Sequence, residues 1–439
     1  MTPGARLQAV IELLEQIWSG QVPADQVADA YLKRRRYAGS SDRRAIHARL
    51  YQVIRSRARL DWWIDRTGGL ATLTPRARII ADLALSDKSS PEQTQMLFSG
   101  NTHCPDVLSP SELALADNLY GRPLTHPDMP GPTAQEYPAW MERSFSALWG
   151  ERLETEISAL NQTAPLDLRV NTLKATREQA QASLAEEFIE TERTPLSPLG
   201  LRLSAKPRLG GTQAFTKGLV EVQDEGSQIL SLLCGAEPGM QVVDFCAGAG
   251  GKTLALAASM TEHQRLQGRL VACDISARRL ARMEPRLKRA GATGVKTQLL
   301  SARNDAWVAR NKMRWDRVLC DAPCTGTGVW RRDPDAKWRF TPTDLDDIRA
   351  TQRTVLMQAA SLVKPGGRLI YATCSLLQEE NEQQLAWFFE NNAMFKALSV
   401  ADVWAETVGG PPPPAGPCLR LSPASSGTDG FFVAILQHL

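Results

Sequence analysis

The stretch VVDFCAGAGGKT (242–253) decides the fold, because it leads an apolar strand through a glycine-rich turn into a helix. Glycines in such a turn let the backbone approach a bound molecule closely. The unpaired N–H groups at the start of the helix offer donors to an anionic group. The pattern therefore predicts a ligand-binding turn made of Cys246, Ala247, Gly248, Ala249, Gly250, Gly251 and Lys252.

Two known nucleotide-binding patterns fit this turn incompletely. A P-loop needs a glycine five places before the Gly–Lys pair, and Cys246 occupies that position. The dinucleotide fingerprint GxGxxG needs a third glycine where Thr253 stands. A glycine turn that binds no ligand is the remaining alternative at this point.

Asp274 adds a second indication of a cofactor. It closes the apolar stretch RLVACD (269–274), thirty residues after Asp244. A carboxylate at the end of the second strand suits bidentate hydrogen bonding to ribose hydroxyls. The turn and the carboxylate together predict an adenosine-containing cofactor, bound outside the carboxyl ends of the strands at a topological switch point. The alternative is an ordinary strand-end or helix-capping aspartate.

Beyond about residue 218, short apolar strands alternate with helical stretches. The alternation favours an α/β domain over 218–439, built around a mainly parallel sheet. Helices are predicted over 251–260, 276–290 and 343–363. The predicted strands are LVEVQ (219–223), QVVDF (241–245), RLVACD (269–274), DRVLCD (316–321), RLIYAT (368–373) and FFVAIL (431–436).

The chain before residue 218 is predicted to divide into three parts. Residues 1–120 form a helical domain, since the apolar residues near its start recur at helical spacing: Leu7, Val10, Ile11, Leu14, Ile17 and Trp18. Residues 121–138 contain five prolines and two glycines and are predicted to be a linker. Residues 139–217 form a small α+β subdomain that includes the half-buried strand DLRVNT (167–172).

Composition excludes several classes of protein. The 439 residues are 43% hydrophobic and 23% charged, which rules out a mostly disordered, fibrous or disulfide-stapled chain. There is no apolar run of about 18 residues, so neither a membrane-spanning helix nor a membrane partner is expected. Eight scattered cysteines without a CxxC pair favour free thiols and a cytoplasmic location.

Positive charge is concentrated in one part of the chain. The net charge is only +3, but residues 33–59 hold ten Lys and Arg against a single acid, Asp42. This basic cluster begins with Lys33, Arg34, Arg35 and Arg36. It is either a solvated face or a surface that binds the phosphates of a nucleic acid.

Two cysteine motifs, DAPCTGTG (321–328) and YATCS (371–375), each follow an apolar strand. Cys324 and Cys374 are therefore expected at the carboxyl edge of the sheet, where α/β proteins bind ligands. A lone cysteine is commonly a small hydrophobic residue, but the polar neighbours of these two argue against that interpretation. No metal site is predicted, because Cys320 and Cys324 have no second pair and the five histidines are dispersed.

These motifs resemble the RsmB (Fmu/Sun) family of S-adenosylmethionine-dependent RNA cytosine-C5 methyltransferases, over about residues 160–439. The resemblance implies a Rossmann-like class I methyltransferase domain with S-adenosylmethionine as cofactor, its ribose on Asp274. Residues 1–100 resemble the helical NusB-like RNA-binding domain that precedes the catalytic region in this family. The segments that carry the family resemblance are DLRVNTLK (167–174), VQDEGSQ (222–228), DFCAGAGGKT (244–253), CDAPCTGTGVWRRDPDAKW (320–338), YATCSLLQEEN (371–381) and DGFFVAIL (429–436).

The resemblance implies a role for each cysteine. The thiol similar to Cys374 adds to C6 of cytosine, which makes C5 able to attack the sulfonium methyl group, while Cys324 assists product release. Asp321 is expected to hydrogen-bond the N3/N4 edge of the base and to border the cofactor. Lys252 is expected to orient the base. DNA cytosine-C5 methyltransferases place the nucleophile in the PC motif instead, so the division of roles rests on the resemblance.

RNA is the predicted partner, with 16S ribosomal RNA as the favoured substrate and transfer RNA as an alternative. A DNA methyltransferase and a non-catalytic ribosome-assembly protein with a vestigial methyltransferase domain are the other interpretations, and a monomer is expected. A binding module needs neither thiol, so retention of both cysteines argues against the non-catalytic function. The predicted RNA-binding residues are Arg34, Arg35, Arg36, Arg169 and Asn171.

One stretch departs from the family pattern. Family members carry an acidic residue after the third strand, on the adenine side of the cofactor. Here QLLSARND (298–305) places Ser301 or Ala302 at that position, and Asp305 is the candidate substitute.

Overall fold

The computed structural model describes residues 1–20, 22–67, 73–205, 207–301 and 305–439. The chain forms two compact units. The helical unit consists of Met1–Gln162 and Trp330–Phe340, and the α/β unit consists of Thr163–Val329 and Thr341–Leu439.

The first hundred residues are helical, as predicted, whereas their NusB-like character stays a prediction. The helical unit also holds three-residue 3-10 helices at Ala139–Met141, Gly150–Arg152 and Ala336–Trp338. Its α-helices are α1 (Pro3–Trp18), α2 (Ala24–Arg34), α3 (Ser40–Arg55), α4 (Arg57–Arg66), α5 (Pro75–Leu85), α6 (Pro91–Leu97), α7 (Pro110–Leu119), α8 (Gly131–Gln135), α9 (Glu142–Trp149) and α10 (Leu153–Asn161).

Helix α1 shows why this part of the sequence folds as it does. The helix begins with a proline, whose fixed φ suits the first turn. The hydroxyl oxygen of Thr2 accepts a hydrogen bond from the backbone N–H of Ala5 at 3.2 Å and so caps the helix. The predicted apolar stripe, which includes Val10, Leu14 and Ile17, is buried in the core of the unit.

The proline-rich segment 121–138 differs from the predicted linker, because it packs within the helical unit. Met129 joins the buried core, and the carboxylate of Glu136 is almost completely buried. That carboxylate accepts hydrogen bonds from the backbone N–H groups of Ala58 at 2.9 Å and Arg59 at 3.0 Å. Glu136 therefore caps the first turn of α4, where Ser56 provides no side-chain cap. The prolines interrupt the helical pattern here without exposing the chain.

The α/β unit alternates strands and helices from Glu225 onward. Its helices are α11 (Arg177–Ala185), α12 (Gln213–Thr216), α13 (Glu225–Leu233), α14 (Gly251–Ser259), α15 (Ala277–Ala290), α16 (Ala306–Arg310), α17 (Pro342–Leu362), α18 (Glu382–Asn391), α19 (Val400–Thr407) and α20 (Pro423–Ser426). Its strands are β1 (Leu166–Val170), β2 (Thr191–Arg193), β3 (Gly200–Leu203), β4 (Val220–Val222), β5 (Gln241–Asp244), β6 (Thr261–Glu262), β7 (Arg265–Leu266), β8 (Arg269–Asp274), β9 (Lys296–Leu299), β10 (Trp315–Asp321), β11 (Val363–Thr373), β12 (Phe395–Ala397), β13 (Cys418–Leu421) and β14 (Phe431–His438). Further 3-10 helices cover Leu209–Gly211, Thr327–Val329 and Gln378–Glu380.

The main sheet has the strand order β12-β14-β11-β10-β5-β8-β9, and β13 pairs with β14. Strands β9, β8, β5, β10 and β11 run parallel, and β14 is antiparallel to β11. The chain moves outward from β5 to β9 and returns on the other side of β5 as β10. The carboxyl ends of β5 and β10 therefore meet at the topological switch point of the sheet, the position at which such folds bind ligands. The predicted Rossmann-like α/β fold is confirmed.

A second, antiparallel sheet has the order β2-β3-β1-β4 and lies within the same unit. Strand β1 is the predicted strand DLRVNT. Strand β4 corresponds to the predicted LVEVQ, but it pairs with β1 in this antiparallel sheet and not, as predicted, within the mainly parallel one. Among the described residues of both units, no helix combines the length and the apolar character needed to cross a bilayer.

Candidate active site

The glycine turn joins β5 to α14 and has the geometry that the sequence predicts for a ligand-binding turn. Gly250 is the residue before α14 and adopts φ +84°, in the left-handed region that favours glycine. A Cβ at Gly250 would lie 2.4 Å from Cγ of Met283, so a side chain there would also meet α15. The turn is therefore compact, and its backbone is presented at the carboxyl end of β5.

Asp274 holds this turn from the end of the neighbouring strand β8. Its Oδ2 accepts a hydrogen bond from the backbone N–H of Gly248 at 2.9 Å. Its Oδ1 accepts one from the N–H of Ser276 at 2.7 Å. Each carboxylate oxygen keeps a second lone pair that can accept a hydrogen bond from a ribose hydroxyl. The structure thus adds a bracing role to the predicted ribose contact.

A cavity of about 290 Å³ opens at the carboxyl ends of β5, β8 and β10. Carboxylates and apolar side chains both face it, a combination that suits a polar ribose joined to a flat base. Its lining residues are Phe245, Cys246, Asp274, Ile275, Arg279, Leu300, Ser301, Asp321, Pro323, Thr351, Val355 and Gln358.

Ser301 belongs to the stretch 298–305, which departs from the family pattern. Ser301 lines the cavity, and the carboxylate of Asp305 accepts hydrogen bonds from the Ser301 N–H at 2.6 Å and the Trp307 N–H at 2.7 Å. Asp305 therefore caps α16 and positions Ser301, and its predicted adenine-side role stays a prediction. Ala302, the other candidate, lies outside the described residues.

Lys252 and Asp321 form an ion pair, with Nζ 2.6 Å from Oδ2. Lys252 lies in the first turn of α14, and Asp321 ends β10. Burial alone would lower the pKa of Lys252, but the Asp321 carboxylate outweighs burial and the pKa is raised. Lys252 therefore stays cationic beside the cavity. Burial raises the pKa of Asp244, at the end of β5, to about 7, although the 2.6 Å hydrogen bond from the Thr253 hydroxyl acts to lower it.

Cys324 and Cys374 meet after the neighbouring parallel strands β10 and β11. Their Sγ atoms lie 3.4 Å apart, within hydrogen-bond distance for sulfur. The hydrogen bond to Cys374, followed by burial, raises the pKa of Cys324 well above its ordinary value. The two thiols can therefore share a hydrogen bond, in which either sulfur atom can be the donor.

Sequence reasoning missed the polar residues that hold the two cysteine loops. Glu380 and Asn381 are fully buried, although both belong to the quoted motif YATCSLLQEEN. The amide of Asn381 donates to the carbonyl of Ser375 at 2.9 Å, and its Oδ1 accepts from the Thr373 hydroxyl at 2.6 Å. The four consecutive polar residues that end this motif, 378–381, were the available signal.

Comparison with known proteins identifies the family. The model for 16S rRNA methyltransferase RsmB/F matches residues 232–437, and that for the RsmF/B-like ferredoxin-like domain matches residues 137–209. A ribosomal RNA small subunit methyltransferase B from Sodalis glossinidius is 34% identical over 68% of this chain and 65% of its own. The probable ribosomal RNA small subunit methyltransferase B of Bacillus subtilis is 30% identical over 70% of this chain and 67% of its own. This chain belongs to the RsmB/F family.

The crystal structure of PH0851 gives the same fold over the whole length. It covers 100% of this chain and 99% of its own, with a TM-score of 0.79 and 27% sequence identity. The match to the Sodalis glossinidius relative covers less than two thirds of that relative's length (65%), and the match to the Bacillus subtilis relative covers 67%. S-adenosylmethionine is the cofactor of this family, and its placement in the cavity beside Asp274 stays a prediction. No cluster of three metal-ligating side chains occurs within the described ranges.

Two residues predicted to bind RNA are buried in this RsmB/F chain, which corrects that part of the prediction. Arg169 is 2% exposed and donates from Nε to the side-chain oxygen of Gln223 at 2.6 Å. Burial lowers the pKa of Arg169 to about 10. Asn171 is also 2% exposed and donates to the carbonyls of Gly218 and Ala290 at 2.8 Å each. Both residues hold the antiparallel sheet together and do not face solvent.

The basic cluster 33–59 is only partly available for phosphates. Its second half is held inside the helical unit: Arg49 pairs with Asp82 and Asp87, Arg55 donates to the carbonyl of Arg331, Arg57 lies over the ring of Trp18, and Arg59 pairs with Glu136. Arg35 is half-buried, pairs with Glu12 at 2.8 Å and stacks on Tyr31. The exposed members are Lys33, Arg34, Arg36 and Arg44.

Replacing Asp274 by alanine is expected to weaken S-adenosylmethionine binding more than about tenfold, or roughly 1.4 kcal/mol. The variant loses the ribose acceptor and releases the N–H of Gly248, so the turn loses its brace. Isothermal titration calorimetry measures the dissociation constant directly. Asp402→Ala, at an exposed aspartate of the same unit, is the matched control. An unchanged dissociation constant would show that the ribose lies elsewhere, and tighter binding of ATP than of S-adenosylmethionine would favour the P-loop alternative.

Proposed function

We propose that this chain transfers a methyl group from S-adenosylmethionine to C5 of a cytosine in RNA, with 16S ribosomal RNA as the favoured substrate. The observation that carries the proposal is the 3.4 Å approach of the Cys324 and Cys374 sulfur atoms at the carboxyl edge of the sheet. Binding RNA or the cofactor requires neither thiol. Methyl transfer to C5 of cytosine requires nucleophilic activation, because this carbon is too weak a nucleophile by itself.

The first step is the addition of Cys374. Its thiolate forms an S–C6 bond, and the electron pair of the C5=C6 double bond moves towards C5 and the N3 side of the ring. The carboxyl group of Asp321 binds the N3/N4 edge of the base. Lys252, 2.6 Å from Asp321, fixes that carboxyl group and adds positive charge where negative charge develops. The assignment of the reacting thiol to Cys374 rests on the family resemblance, because the contact between the two sulfur atoms lets either one donate.

The second step joins the methyl carbon to C5. S-adenosylmethionine supplies an electrophilic methyl group bound to a sulfonium sulfur, which keeps the electron pair of the broken C–S bond. A base then removes the proton from C5. The electron pair of that C–H bond restores the C5=C6 double bond, the S–C6 bond breaks, and Cys374 returns as a thiolate. Cys324 assists this release from its position against the Cys374 sulfur.

Bisulfite sequencing of RNA from a deletion strain tests the function. One 16S ribosomal RNA cytosine is expected to lose its protection in the deletion strain and to regain it when this chain is restored. Restoring the Cys374→Ser chain is the control and leaves the cytosine unprotected. Loss of protection in transfer RNA alone would change the substrate. Unchanged protection throughout, with RNA binding retained in a filter assay, would instead support the non-catalytic ribosome-assembly function.

Neutralising the exposed part of the basic cluster is expected to weaken RNA binding by the helical unit. In the triple variant R34Q/R36Q/R44Q, the slope of log affinity against log salt should fall by about one for each phosphate that is no longer neutralised. Filter binding of 16S ribosomal RNA at several salt concentrations measures the slope. The control removes the same charge at exposed arginines elsewhere in the unit, in R66Q/R143Q/R152Q. Equal slopes in the two triple variants would make the cluster an ordinary solvated face.

A further inference from the structure

Glu380 occupies an unusual place for a carboxylate. It ends the 3-10 helix Gln378–Glu380, which follows β11 and the Cys374 turn, and it is fully buried. Burial raises its pKa, so the site imposes a cost on the charged form. A carboxyl group is retained in such a place only where hydrogen bonds compensate for the lost water.

The first hydrogen bonds that compensate for the burial of Glu380 come from the loop that carries Cys324. Thr325, the residue directly after Cys324, donates its backbone N–H to Oε1 of Glu380 at 2.8 Å. The hydroxyl of Thr325 donates to Oε2 at 2.5 Å. Gln352 on α17 donates from one amide nitrogen to Oε1 at 3.1 Å and to the carbonyl of Pro323 at 2.9 Å. The loop is therefore held on both sides of Cys324.

The second compensation comes from the turn that carries Cys374. Ser375, the residue directly after Cys374, donates its hydroxyl hydrogen to Oε2 of Glu380. The same hydroxyl oxygen accepts the N–H of Leu377 at 3.1 Å, so the turn folds back on itself. Glu380 thus binds, through its two oxygens, the residues that immediately follow each of the two reactive thiols.

We propose that Glu380 is a positioning residue, which joins the loop of Cys324 to the turn of Cys374 and thereby sets the separation of the two sulfur atoms. The inference rests on the proposed two-thiol function for its effect on catalysis, but the geometry it concerns can be measured without catalysis. Glu380 is fully buried and bonds to the residues that follow the thiols, so it takes no part in bond making. A displacement of about 1 Å in a reacting group costs about 100-fold in rate.

The kinetic test compares Glu380→Ala with Glu380→Gln. The alanine variant is expected to lose about 100-fold in kcat, while the KM for S-adenosylmethionine stays within about twofold, because Asp274 and the glycine turn are untouched. The glutamine variant keeps the shape and one acceptor oxygen, so it should lose less than about tenfold in kcat. Glu390→Gln, at an exposed glutamate on α18, is the control and should behave as the wild type.

The geometric test needs no RNA. Dibromobimane becomes fluorescent when two nearby thiolates have each displaced one of its bromides. The rate measured in Cys374→Ser reports reaction at the other cysteines and is subtracted from every other rate. The corrected rate of cross-linking in the wild type should be at least about tenfold higher than that in Glu380→Ala. If Glu380→Ala does not fold, as judged by circular dichroism, Ser375→Ala removes one donor to the same carboxylate and is measured instead.

The outcomes separate the inference from the function. Slower cross-linking with a fall in kcat supports both. If cross-linking is slower in Glu380→Ala but the wild type does not methylate cytosine, the positioning role is supported and the proposed function is wrong. Cross-linking and kcat within about twofold of the wild type, in a folded Glu380→Ala or Ser375→Ala variant, would overturn the inference. A parallel rise in the KM for S-adenosylmethionine would also overturn it, since general loosening would then explain the loss.

Discussion

Replacing Cys374 by alanine is expected to abolish methyl transfer and to prevent any covalent bond between protein and RNA. Without its thiolate no bond to C6 forms, and C5 is never activated. Replacing Cys324 by alanine is expected to do something different. Addition and methyl transfer can still occur, but release is impaired, so the covalent complex accumulates. The two sulfur atoms are 3.4 Å apart, yet their variants should fail at opposite ends of one intermediate.

A denaturing gel with labelled RNA and S-adenosylmethionine distinguishes these results. A shifted band is expected for Cys324→Ala and none for Cys374→Ala. Cys234→Ala, at the buried cysteine that follows α13, serves as the control and should turn over normally. A shifted band with Cys374→Ala that vanishes with Cys324→Ala would exchange the roles and favour the DNA-type mechanism. Unimpaired methyl transfer in both variants would make the thiols packing residues.

Replacing Glu136 by alanine is expected to destabilise the helical unit by about 3–5 kcal/mol. The carboxylate of Glu136 is 1% exposed and accepts from two backbone N–H groups at the start of α4 and from the guanidinium of Arg59. The alanine variant leaves these three donors without their acceptor. Hydrogen exchange within α4 should accelerate, and thermal unfolding of the unit should begin at a lower temperature.

A conservative variant and a control show whether the loss of stability comes from the Glu136 carboxylate. Glu136→Gln keeps one acceptor oxygen and is expected to recover part of the stability. Glu154→Ala removes an exposed carboxylate from the same unit and should change stability by less than about 0.5 kcal/mol. If α4 exchanged at the wild-type rate in Glu136→Ala, the Glu136 carboxylate would contribute nothing to the stability of α4.

The sheet was predictable because its central strands are long enough to show their pattern. Strands β5, β8, β10, β11 and β14 are buried on both faces and appear in the sequence as apolar runs between turns. The described strands that were not predicted have two to four residues each and no more than two apolar residues in succession: β2, β3, β6, β7, β9, β12 and β13. Because β10 and β11 are parallel neighbours in the sheet, Cys324 and Cys374 lie together at its carboxyl edge, as the predicted strands imply. Their chemical roles stay predictions.

Contacts between distant segments could not be predicted in the same way. The alternation in DLRVNT suggests that Arg169 and Asn171 face solvent, yet the amide of Asn171 meets a carbonyl 119 residues away, at Ala290. Glu136 looks like a surface residue of a proline-rich stretch until α4 is placed against it. Glu380 is equally hard to predict, since its importance depends on the two loops that it joins. The periodicity of one element predicts which of its residues are buried only when no distant segment packs on its polar side.

The segment Trp330–Phe340 belongs to the helical unit, although the chain on either side of it belongs to the α/β unit. Trp330 packs its ring against Phe145, and the ammonium group of Lys337 donates to the carbonyl of Glu136 at 2.9 Å. A gene cut after residue 162 would therefore encode a helical unit that lacks two of its own core residues. Recombination at a single point cannot exchange either unit for a homologous one.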